Sequence, residues 1–80
     1  NMDKTKFIEE LSNKTGISID KCEEINKIFE STFLIDKNNK EKILNAIKEK
    51  FNFSDEMLNK IYDTAMNIIG NVLLKIEVRL

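Results

Sequence analysis

Apolar residues recur along this chain at helical spacing, in runs separated by polar corners. Phe7, Ile8 and Leu11 fall on one face of a first helix, and Ile25, Ile28, Phe29, Thr32 and Phe33 mark a second. Between them lies "NKTGISIDK" (13–21). Gly16 suits the left-handed end of a helix, after which Ile17 folds back onto Leu11 in a Schellman-type stop. Ser18 is a favoured N-cap, and Asp20 places a negative charge at the positive end of the next helix dipole. Ile17 before the cap and Cys22 four residues after it have the spacing of a hydrophobic staple. These signals agree on a helical hairpin.

The same pattern returns further along. A shift of 36 residues aligns 4–25 with 40–61, and Lys4, Lys6, Lys14, Ser18 and Ile25 recur as Lys40, Lys42, Lys50, Ser54 and Ile61. Phe7, Ile8, Leu11, Ile17 and Cys22 have apolar counterparts in Ile43, Leu44, Ile47, Phe53 and Leu58. Asn52 stands where the first corner has Gly16, and asparagine is the next most tolerant residue at a left-handed cap. The reading is an internal repeat, 4–34 and 40–70, joined by a linker at 36–39 in which Asn38 or Asn39 caps the third helix. The expected fold is all-α: two tandem helix-turn-helix hairpins, about four helices, in one small bundle with the hairpins related by a pseudo-twofold axis.

The last stretch has two readings. Ile61, Ala65, Ile68, Ile69, Val72, Leu73 and Ile76 continue one helical face without a phase break, whereas "LKIEVRL" (74–80) alternates with period two. A glycine such as Gly70 costs a helix only ~1 kcal/mol relative to alanine. The expectation is therefore a fourth helix to about Leu74–Ile76 with a short extended end. Six of the nine residues 72–80 are apolar, and the first hairpin has no equivalent segment. Burying each large aliphatic is worth ~1.5–3 kcal/mol, so this tail must cover its own core or meet another chain. Phe33, Leu34 and Ile35 at the end of helix two, with Leu73, Leu74, Ile76, Val78 and Leu80 of the tail, form the candidate interface. The tail is expected to pack on helix two, of the same subunit or of a symmetry mate, and to contribute to a homodimer.

Composition narrows the classes. Eighty residues make one small domain, and 41% hydrophobic with 34% charged residues fits a globular chain. No apolar run reaches the length of a membrane span, and no signal-peptide core follows the Lys-rich start. A lone cysteine cannot close an internal disulfide, which with the rest indicates a cytoplasmic protein. The wealth of Lys, Asn and Ile fits the codons of an AT-rich bacterial genome.

Residues 2–33, with the M-x-K-T start, the K-T-G-I-S corner and a second helix ending near Phe29, resemble the N-terminal helical hairpin of the histone-like HU/IHF proteins. The whole chain also resembles small double-hairpin helical proteins of low-GC bacteria, a likeness that brings no activity. In HU/IHF the hairpin belongs mainly to the dimer body, while β-arms carrying arginine and a proline tip grip DNA. This chain has no proline, Arg79 as its single arginine, and a second hairpin where the sheet would begin. The resemblance therefore implies a folding and association unit, with no DNA-contact residues to transfer.

Charge bears on the DNA alternative more than shape does. From Ser18 to Ser31, Asp20, Glu23, Glu24 and Glu30 outweigh Lys21 and Lys27, net −2. From Ser54 to Asn67, Asp55, Glu56 and Asp63 outweigh Lys60, again net −2. Either helix laid against phosphates would be repelled. The basic patch is Lys37, Lys40, Lys42, Lys48 and Lys50 against Glu41 and Glu49, net +3, a solvated helix face by default. It is the residue set on which an HU-like nucleoid-associated function would rest.

Chemistry finds little to work with. The chain has no histidine, the commonest general base and zinc ligand. Cys22 near a helix N-terminus is read as a small buried hydrophobe, the adjacent pairs Glu9–Glu10 and Glu23–Glu24 as solvated charges, and Tyr62 as a core-edge aromatic. "DKNNKE" (36–41) lacks the glycine and terminal glutamate of a calcium loop. No catalytic residue, cofactor or metal is expected. The reading is a non-enzymatic protein–protein association module, partnered by itself or another protein.

Overall fold

The computed structural model describes residues 3–35 and 40–79, with side chains described for 3–32 and 40–70. Among the described residues there are four helices: α1 (Lys4–Thr15), α2 (Ile19–Ile35), α3 (Lys40–Phe51) and α4 (Asp55–Arg79). The protein is a small all-α bundle of two consecutive helical hairpins.

Local chemistry sets the helix ends. Asp3 caps α1, its carboxylate accepting from the Thr5 N–H at 3.0 Å. Gly16 takes φ 78°, and its N–H donates to the Ser12 carbonyl at 2.8 Å. Ile17 then folds into the core cluster that also holds Leu11. Thr15 ties this stop together, its hydroxyl donating to the Leu11 carbonyl at 2.6 Å and accepting from the Ile17 N–H at 3.3 Å. The Ser18 hydroxyl caps α2 by accepting from the Lys21 N–H at 3.4 Å.

The second hairpin repeats the left-handed turn bond and the serine cap 36 residues later. Asn52, at φ 58°, donates its N–H to the Lys48 carbonyl at 2.9 Å, and the Ser54 hydroxyl accepts from the Met57 N–H at 3.2 Å. Lys4, Thr15 and Ile19 likewise have Lys40, Phe51 and Asp55 as the matching helix bounds.

The apolar stripes then decide the assembly. Phe7, Leu11, Cys22, Ile25, Ile43, Ile47, Ile61 and Ala65 are all at 1% exposure or less and belong to one core cluster. The helices form a ring in which α1 packs against α2 and α4, and α3 against α2 and α4. Exchanging the two hairpins leaves that pattern unchanged. Lys50 Nζ lies 2.9 Å from Glu24 Oε1, so the start of α2 runs beside the end of α3 and both corners sit at one end of the bundle.

One expectation is corrected. α4 does not give way to an extended end near Leu74–Ile76 but stays helical through Gly70 to Arg79. The apolar positions never leave helical phase, and a single glycine penalty of ~1 kcal/mol is too small to break a helix already nucleated on the core.

Candidate association surface

Three rings define a level across the bundle. Phe7 of α1 meets Phe29 of α2 edge-on at 6.2 Å between centroids, and Phe29 stacks on Tyr62 of α4 at 6.0 Å. Lys40, the first residue of α3, holds its Nζ 5.1 Å from the Tyr62 ring centroid. α1 begins at Lys4, three residues before Phe7, and α3 begins at Lys40. α2 and α4 both start from corners at the same end of the bundle, and they have 17 and 25 residues. At 1.5 Å per residue, the end of α4 thus outruns that of α2 by roughly 12 Å.

Of the expected interface, Phe33, Leu34 and Ile35 close α2, and Leu73, Leu74, Ile76 and Val78 lie in the part of α4 past its neighbours. Their side chains, and Leu80 altogether, lie outside the described residues, as does the packing of the tail on helix two. The half-buried Tyr62, Met66 and Ile69 border the core just before this part of α4 begins. Tyr62 sits at the core edge, as its position in the sequence suggests.

The basic patch reads differently in three dimensions. Lys48 approaches Asp55 at 3.5 Å, Lys50 pairs with Glu24, Lys40 sits over Tyr62, and Lys42 is also engaged. Lys37 and the expected cap at Asn38 or Asn39 lie outside the described residues. Lys27 Nζ reaches Glu24 as well, at 3.1 Å, and these two lysines hold the Glu24 carboxyl below the usual glutamate range, Lys50 first. At the corner end, Lys21 Nζ stands 5.8 and 5.6 Å from the Phe51 and Phe53 centroids.

Cys22 is fully buried, its thiol 3.7 Å from the Ile17 carbonyl, and burial pushes the thiol up from its ordinary value. That is the environment of a packing residue, the reverse of an activated nucleophile. Among the described residues no group of three or more acidic or cysteine side chains could hold a metal ion, and no helix is long and apolar enough to cross a membrane.

Sequence reading missed Asn26, at 3% exposure between Ile25 and Phe29 on the core stripe of α2. Its spacing from Cys22 and Phe29 was the available signal. It missed the Glu24–Lys50 pair too, which joins residues of different hairpins and has no local signature. No family model, curated protein or solved structure matches the chain.

Proposed function

We propose that this chain is a non-enzymatic association module that binds protein through the far end of α4. The observation that carries the reading is the outrun of α4 past the aromatic level of Phe7, Phe29 and Tyr62. A helix end with five apolar residues among the eight of 72–79, extending past its neighbours, lowers its free energy by docking on another surface. The described lysines of the basic patch are engaged within the chain, which favours this reading over an HU-like one. A cytoplasmic setting goes with it, since a free thiol buried in the core needs no oxidising compartment.

The test is affinity purification of the tagged chain from its native cell, with a DNA gel-shift titration at low and physiological salt. Stoichiometric recovery of protein, either untagged copies of the chain or another polypeptide, is the expected result. Recovery of none, with micromolar DNA binding that falls steeply with salt, would replace the association reading with the nucleoid one.

A further inference from the structure

We infer that the partner of α4 is the same helix of further copies of this chain, aligned in parallel; this rests on the association reading above. Tyr62, Met66, Ile69, Leu73 and Ile76 follow one another at alternating steps of four and three residues within α4. That is the heptad seam of a coiled coil, with Met66 and Leu73 at a and Ile69 and Ile76 at d, while Tyr62, the preceding d position, is engaged within the chain by Phe29 and Lys40. Leu80, next in the sequence register, lies outside the described helix. The core-facing stripe is a separate one, formed by Leu58, Ile61, Ala65 and Ile68. The seam begins beside it, where Tyr62, Met66 and Ile69 are only half-buried, and runs on into the segment that the other helices do not reach.

A heptad seam is self-complementary: knobs at a and d fit the holes of the same seam on another copy. The flanking positions select the direction. Parallel alignment sets Val72 against Glu77 and Ala65 against Gly70 of the neighbouring copy, with no like charges opposed. Antiparallel alignment sets Asp63 opposite Glu77, two negative charges in register. The near-neutral chain, net −1, adds little repulsion between copies. Leucine at a with isoleucine at d favours more than two strands, and Val72 and Leu74 widen the apolar face in the same sense. The assembly is a parallel dimer, trimer or tetramer, its order read from its mass.

The experiment is light scattering and sedimentation equilibrium on the full chain, the double variant Leu73→Glu/Ile76→Glu and the control Lys75→Glu. A multiple of the chain mass for wild type and control, with a helical monomer for the double variant, is the result expected. A wild-type monomer at all concentrations overturns the inference, and so does a double variant that stays associated. Should the double variant fail to fold, oxidation of Ile76→Cys decides, because parallel pairing brings position 76 against its own copy. A covalent dimer formed by Ile76→Cys and not by the parent chain supports the inference; no cross-link overturns it. A monomeric chain that still brings down a different protein in stoichiometric amount sinks self-pairing and leaves the association reading standing.

Discussion

Gly16 and Asn52, 36 residues apart, both adopt left-handed backbone, at φ 78° and 58°, and each donates its N–H to the carbonyl four residues back. The two corners share this backbone turn and differ in the tolerant residue that occupies the strained position and in the Thr15 hydrogen bonds, which Phe51 cannot make. Gly16→Val should therefore destabilise the fold by ~1 kcal/mol or more, because a β-branched residue resists positive φ. The added Cβ itself meets no clash, since one at Gly16 has nothing within 4 Å. Asn52→Gly should be neutral or slightly stabilising. Urea titration of both variants checks the pair, and equal losses at the two sites would refute their equivalence.

Asn26 places an amide on the core stripe of α2 with 3% exposure, among Cys22, Ile25 and Phe29. Desolvating an amide is costly when an apolar group of similar branching could fill the site. Asn26→Leu is expected to raise stability by about 1 kcal/mol in thermal or urea unfolding. A loss of that size instead would show that the core has no room for the added methyl groups.

Glu24 is held ionised by Lys50 and Lys27, so its folded pKa lies below its unfolded one. Its contribution is present above the ordinary glutamate pKa and is lost as pH falls through the lowered folded value. Comparing the melting temperatures of wild type and Glu24→Gln should show a gap at pH 7 that closes in acid. A gap that widens in acid would contradict the pairing. Because the carboxylate is open to solvent, added salt should shrink the gap as well.

Gly70 lies inside α4, and a Cβ there would meet nothing within 4 Å. Gly70→Ala should stabilise the protein by about 0.5–1 kcal/mol through helix propensity alone. Circular dichroism during unfolding would record this as a higher midpoint with unchanged helix content. A gain of helix content would mean that α4 is normally interrupted at this position.

The hairpins were legible because their signals are local. Gly16 with Ile17, Ser18 with Lys21, and the Ile17–Cys22 staple act across a few residues, so residue type and spacing suffice to place two helix ends. The same holds for Asn52 and Ser54. The period-two pattern of 74–80 misled because alternation over seven residues can arise by chance, while the helical phase runs unbroken from Ile61. Other features depend on contacts between residues distant in sequence. The ring order of the helices, the level shared by Phe7, Phe29 and Tyr62, and the pairing of Lys50 with Glu24 arise only when four apolar stripes are buried together. Sequence supplied the length of each stripe, but not which helix ends would come level. That alignment is what leaves the end of α4 past its neighbours, and it was decided by tertiary packing, because a stripe specifies a face to bury without specifying what it is buried against.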